Sequence, residues 1–167
     1  KRKDKLGKQL AVIRNEEYYF NEGASWNDVS TGILSCRYTP PGFIPTDSGP
    51  MIYSAENLTL FTCLLNSCVS QPFTKILCPT IHFGVGQISE IPVHVPTVSI
   101  NGLYNELKNI AKTDWDSKET SWEFLILPWL SLPLKSTTIE KTLTNWQLHC
   151  DKQRNRMQEL ETENNKL

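Results

Sequence analysis

From Thr137 to Leu167 the chain contains neither glycine nor proline, and its residues repeat with a fixed spacing. Ile139, Leu143, Trp146, Cys150, Met157, Leu160 and Leu167, with polar Gln153 and Asn164 completing the series, fall at alternating steps of four and three. That is a heptad seam, sustained for about four heptads. Thr137 and Glu140 stand at capping-box spacing ahead of it and predict where the helix starts. A helix over residues 136–167 is roughly 45 Å long at 1.5 Å per residue. A small domain cannot cover that length alone. The expected neighbour is a second long helix, in a partner, in another copy of the chain, or in a longer parent polypeptide.

The 167 residues are enough for one domain with its own core. Apolar residues make up 39% and charged residues 21%, which excludes a wholly disordered or low-complexity chain. The near-neutral total of -1 conceals an asymmetry. Lys1, Arg2, Lys3, Lys5 and Lys8 face only Asp4 in the first eight residues, so the remainder nets -5. A uniformly basic nucleic-acid binder is therefore excluded, and any DNA contact must be local. Lys1, Lys3, Lys5 and Lys8 are the candidate phosphate contacts, with a solvated tail as the alternative. The chain starts at Lys1 rather than Met and reads as a fragment of something longer.

No secretory signal is visible, because no apolar stretch follows the charged start. Phe124 to Leu134 is the most apolar run, but it is short and broken by Pro128 and Pro133, so no membrane span is expected. Cys36, Cys63, Cys68, Cys78 and Cys150 form an odd set without a CxxC pair, which argues against a disulfide framework or a zinc site. Cys63 and Cys68 are expected as buried free thiols on an apolar helix. A reducing cytoplasm is the expected compartment.

Four segments follow from the pattern. Residues 1–15 are a basic lead-in, and 16–98 a mixed α/β domain. Residues 99–135 hold a helix and a Trp- and Pro-rich connector, and 136–167 the long helix. Within the second segment, Tyr18-Tyr19-Phe20 and Ile33 to Tyr38 are strand candidates, punctuated by Thr31-Gly32, Pro40-Pro41-Gly42 and Ser48-Gly49-Pro50. Leu58, Phe61, Leu64, Leu65 and Val69 predict a helix over 55–69 with Ser54 as N-cap, ended or kinked by Pro72, with Phe73 to Leu77 continuing as a short second piece. Ile91 to Pro96 predicts an extended connector. Leu103, Leu107, Ile110 and Ala111 mark a further helix running out near Asp114. The expected class is α+β: a small unit of short strands and helices followed by the long helix.

Catalytic chemistry is not signalled. His82, His94 and His149 lack metal-ligand spacing, and no GxSxG, P-loop or GxGxxG motif occurs. Phe83-Gly84-Val85-Gly86 has no helix pattern directly behind it and predicts a backbone turn. Asp114, Asp116, Glu119 and Glu123 interleave with Trp115 and Trp122, match no cation loop, and predict a solvated helix start and turn. No catalytic and no metal-binding residue is assigned.

Three stretches carry a family resemblance. EYYFNEGASWNDVSTGILSCRYTPPGFIPTDSG, from Glu17 to Gly49, resembles the first part of target-recognition domains in large adenine-specific DNA methyltransferases. Leu64-Leu65-Asn66-Ser67, Pro79-Thr80 and Ile91-Pro92 are similar to the end of those domains, with Cys78 standing where the family often has Asn. DWDSKETSWEF, from Asp114 to Phe124, is the most specific, and is similar to an element of the phage-defence methyltransferases of BREX systems, the PglX-like proteins. Type I and type IIG specificity regions share the first two stretches.

The resemblance, covering 16–167, implies a DNA sequence-recognition segment whose parent transfers a methyl group from S-adenosylmethionine to adenine N6. The catalytic Asn/Asp-Pro-Pro-Tyr and Phe-x-Gly-x-Gly motifs of such a parent are absent, so neither cofactor binding nor methylation is expected of this segment alone. Implied partners are double-stranded DNA, the upstream methyltransferase domain of the same polypeptide, and other defence-complex proteins or a second copy through the long helix. Base readout would come from polar loop residues. Ser25 to Thr31 is the richest exposed-looking stretch, and Asn27, Ser30 and Arg37 are the candidates. A structural turn at Trp26-Asn27 and an acid partner for Arg37 are the alternatives. At the level of function, the alternatives are a protein-interaction module with incidental DNA contact and the specificity part of an enzyme that also cleaves.

Overall fold

The computed structural model describes residues 7, 14–131 and 133–166. The fold is α+β. Three short strands, β1 (Gly23–Ser25), β2 (Arg37–Thr39) and β3 (Met51–Ile52), form an antiparallel sheet with β1 in the middle. Helices α1 (Leu58–Leu65), α2 (Ser70–Leu77), α3 (Val85–Ser89), α4 (Asn101–Asp116) and α5 (Ile139–Asn164) follow, with 3₁₀ turns at Glu16–Tyr18 and Pro128–Leu130. Strands this short do not persist without a packed face. Ala24 on β1 and Trp26 just past its end, two residues apart in extended chain and so on the same side, supply it together with Leu34, Cys36, Leu58, Leu65, Phe83, Ile88 and Ile91. Trp26 is only 1% exposed, and its indole N–H donates to the Phe83 carbonyl at 2.7 Å. An indole buries about 150–250 Å², on the order of 4–6 kcal/mol at about 25 cal/mol/Å². Gly23 is where β3 comes closest: a Cβ there would lie 2.7 Å from the Ile52 carbonyl oxygen.

Asn66 joins helix to sheet. Its side-chain oxygen accepts from the Cys36 N–H at 3.0 Å, and its amide nitrogen donates to the Cys36 carbonyl at 2.7 Å and the Thr62 carbonyl at 2.9 Å. One side chain thus does for Cys36 what a neighbouring strand would do. The same contacts stop α1 at Leu65, a turn short of the predicted Val69. Pro72 neither ends nor kinks a helix. It sits in the first turn of α2, where its missing N–H would lack a helical partner in any case.

Tyr18-Tyr19-Phe20 is not a strand. The 3₁₀ turn carries the chain into Phe20, whose φ is 65°. That left-handed residue is clamped by Phe20 N–H to the Phe43 carbonyl and Gly42 N–H to the Phe20 carbonyl, each 3.0 Å. Period-two patterning cannot anticipate a local strain paid back by a loop over twenty residues away. Of the predicted strand over 33–38, only Arg37 and Tyr38 are paired, and β2 adds Thr39, while β1 and β3 carry too few residues to show a period.

α4 is about 24 Å long and α5 about 39 Å, and they pack against each other. The Arg156 guanidinium grips both Glu106 oxygens, at 2.7 and 2.9 Å, and this holds the Glu106 carboxyl below its usual range. The end of α5 reaches the first helix: Leu160 is 1% exposed, and Asn164 donates to the Cys63 carbonyl at 3.0 Å. Asn165 accepts the Cys68 N–H at 2.8 Å. At its start the N-cap is Thr138 rather than Thr137, with Thr138 Oγ1 accepting the Lys141 N–H. Ile139 and Leu143 there are exposed, Trp146, Cys150 and Met157 half-buried; Leu167 lies outside the described residues. Trp146 packs edge-on against Trp129, ring centres 5.9 Å apart.

The described cysteines are free. Cys36, Cys63 and Cys78 are buried, but Cys68 is exposed because α1 ends before reaching it. Burial pushes the Cys36 thiol up to about 12, against a small opposing pull from Arg37, and Cys63 up to about 11. No described helix is long and apolar enough to cross a membrane.

Three outcomes follow from this packing. Asn66→Ala leaves the Cys36 backbone pair unmatched and lowers unfolding free energy by about 1–3 kcal/mol, read from urea melts. Raised thiol values in the folded state mean stability is intact below the ordinary thiol pKa near 9 and falls as pH climbs from there toward 12. At pH 8, iodoacetamide mapping by mass spectrometry finds Cys68 alkylated well before Cys36, Cys63 and Cys78.

Candidate nucleic-acid interface

Beyond β1 the chain stays extended and is pinned on both flanks. Trp26 N–H donates to the Pro50 carbonyl at 3.2 Å and Asp28 N–H to Ser48 at 3.1 Å. On the other side Phe83 N–H donates to the Asp28 carbonyl at 2.6 Å, and Ser30 N–H to Ile81 at 2.9 Å. Val29 and His82 thereby pair as an isolated antiparallel bridge. Trp26 is core, contrary to the exposed reading of 25–31, since the indole turns inward while Asn27 turns out.

This pinning brings Asn27, Ser30 and Arg37 to one small hollow, with Ile33, Leu34, Ser35 and Phe83. The Arg37 guanidinium donates to Asn27 Oδ1 at 2.9 Å, so the guanidinium is held by an amide rather than by an acid. Its charge remains uncompensated by that contact. Ser30 Oγ accepts the Gly32 N–H at 3.1 Å and fixes the turn that follows. Asp28 is the neighbouring acid, and its carboxylate meets His82 Nδ1 at 3.0 Å. The candidates Lys1, Lys3, Lys5 and Lys8 lie outside the described residues.

A larger hollow, of about 180 Å³, adjoins the first and shares Ser30, Ile33 and Phe83 with it. Its far wall carries Gln71, Lys75 and Thr80. Sequence pattern does not single these out, because Pro72 hides the start of α2.

Phe83-Gly84-Val85-Gly86 turns directly into the five-residue α3, where no helix was expected, with Gly84 as N-cap. The Gln87 side chain fills the space beside Gly84. Asp114 and Asp116 fall at the end of α4 rather than at a helix start. Asp114 pairs with Lys118, while Lys112 bridges Asp116 and Glu123. Asp116 also accepts from Ser121 at 2.7 Å, and hydrogen bonding from Lys112 first, then Ser121, holds its carboxyl low. Asp116, Ser121 and Glu123 of DWDSKETSWEF thus lock a turn. Among the described residues no three acidic, His or Cys side chains converge as a metal-ligand group.

By sequence the chain is homologous to a segment of adenine-specific methyltransferases. It is 32% identical, over 98% of its own length, to the adenine-specific methyltransferase PglX of Lacticaseibacillus casei strain Zhang, and covers 14% of that protein. It is 33% identical over 71% of its length to the adenine-specific methyltransferase BrxX of Escherichia coli O9:H4 strain HS, covering 10%. The chain therefore spans a small fraction of the relatives it matches. No protein-family model matches it.

Because the Asn27–Arg37 pair is exposed, breaking it with Asn27→Ala changes stability by less than about 1 kcal/mol. A thermal melt superimposable on the original is the expected result, and a large drop would assign the pair a folding role instead.

Proposed function

We propose that this chain is the DNA sequence-recognition segment of an S-adenosylmethionine-dependent adenine-N6 methyltransferase acting in phage defence, with catalysis and the cofactor residing elsewhere in the parent. The observation that carries the reading is homology to adenine-specific methyltransferases along 98% of the chain. The pinned loop supports it. Asn27 and Arg37 present an amide and a fork of N–H donors from a rigid mount, the groups that read purine edges in the major groove. Lys1, Lys3, Lys5 and Lys8 add phosphate contacts. Double-stranded DNA and the parent's catalytic domain are the partners, in a cytoplasmic setting.

A second reading, a module that docks other proteins of the defence complex, rests on one observation. Trp122 and Leu125 are each 91% exposed, and Trp122 stacks on Phe43 with ring centres 6.0 Å apart. Exposed aromatic surface of this kind marks protein contacts. Ile139 and Leu143 at the open start of α5 extend the surface available to a partner or second copy.

Duplex binding measured across a salt series separates the readings. DNA recognition predicts affinity that falls steeply with salt, and a loss of roughly 1–3 kcal/mol in Arg37→Ala for the preferred duplex. Wild-type affinity in Arg37→Ala and in a variant neutralised at Lys1, Lys3, Lys5 and Lys8, with complex assembly lost on Trp122→Ala, would favour docking.

A further inference from the structure

We propose that Gln71 and Lys75 on α2 complete the DNA-reading surface, Gln71 as a base-edge reader and Lys75 as a phosphate contact; this rests on the DNA-recognition reading above. Both side chains line the 180 Å³ hollow across from Ser30 and Ile33. Since that hollow shares Ser30, Ile33 and Phe83 with the one holding Asn27 and Arg37, the two form a continuous strip.

α2 is built to present an outer face. Its inner side is fixed by Ser70, 1% exposed, whose hydroxyl donates toward the Leu65 and Ser67 carbonyls at 3.0 and 2.9 Å. Buried Thr74 donates to the Gln71 carbonyl at 2.9 Å, closing the turn between the two proposed contacts. Gln71 and Lys75 stand one turn apart on the same side, about 5–6 Å between Cβ atoms. Among the described residues neither side chain has a hydrogen-bonding or ionic partner.

An α-helix with its side chains is about 10–12 Å across, and the roughly 12 Å wide major groove admits it. A side chain near the groove centre meets base edges while one a turn further on meets the phosphates at its wall. The Gln amide, donor and acceptor together, matches adenine N7 and N6. The ammonium of Lys75 is a point charge suited to phosphate. The apolar side chains of Ile33, Ile81 and Phe83 that line the hollow suit a thymine methyl. Electrostatics agree: the strip carries Arg37 and Lys75, and its acid, Asp28, is engaged by His82. The carboxylates of Asp114, Asp116 and Glu123 lie instead at the end of α4 and in the turn after it.

The test selects preferred sites from a randomised duplex pool with the full chain, alongside Gln71→Ala and Lys75→Ala, and measures affinity for the winning duplex across a salt series. Gln71→Ala relaxes preference at one base position by roughly tenfold or more without altering the others. Lys75→Ala weakens all duplexes alike and lowers the salt slope by about one. An unaltered selected sequence in Gln71→Ala, or an unaltered slope in Lys75→Ala, in chains that still bind duplex overturns the proposal and leaves DNA recognition standing. If the unmodified chain enriches no sequence and binds no duplex, both fail together.

Discussion

The structure depends on the burial of one indole. Eight strand residues cannot hold a sheet, and the helices that follow are short apart from the last two. Trp26 supplies the large apolar surface that β1, α1 and the segment around Phe83 close over, and its N–H is satisfied by the Phe83 carbonyl. Since the extended chain continues from β1 through Trp26, fixing the indole also helps fix Asn27 through Ser30. The exposed polar residues of that loop are thus held by the core rather than by each other. A recognition surface needs that arrangement, because side chains already ordered lose less entropy on binding.

A second constraint ties the long helix to this core. Asn66 and Asn164, both asparagines near helix ends, each spend a side-chain amide on the backbone around α1. The C-terminal half of α5 is thereby docked, with the Arg156–Glu106 fork setting its position along α4. Its first turns carry Ile139 and Leu143 in solvent. Much of the seam's neighbour is thus α4 of the same chain, and what stays uncovered is at the other end.

The sequence made the long periodic elements legible and hid the local ones. α4 and α5 have enough turns for their spacing to show, and their residue ranges follow from it closely. The strands do not, having two or three residues each, and neither does the clamp that puts Phe20 at positive φ. Pro72 misled because proline both ends helices and starts them, and which it does is decided by Asn66 and Ser70 satisfying backbone groups upstream. Asn27 and Ser30 are legible as polar loop residues and Arg37 as the cation of the following strand, and they do line one hollow. Trp26 was placed with them because an aromatic in a polar stretch looks exposed until the residue across from it, Phe83, is known. Gln71 and Lys75 were not legible, since only the fold brings α2 against residues 30–33. Homology to adenine-specific methyltransferases follows from stretches spread along the chain, which a sequence shows directly.

The central claim is that duplex DNA meets the strip running from Arg37 and Asn27 across to α2. Backbone amide spectra of the chain, titrated with the duplex enriched from a randomised pool, test it most directly. Shifts concentrated in residues 27–37 and 71–82, diminishing as salt is raised, are the predicted result. Shifts confined to Phe43, Trp122 and the start of α5, or no shifts at all, would contradict it.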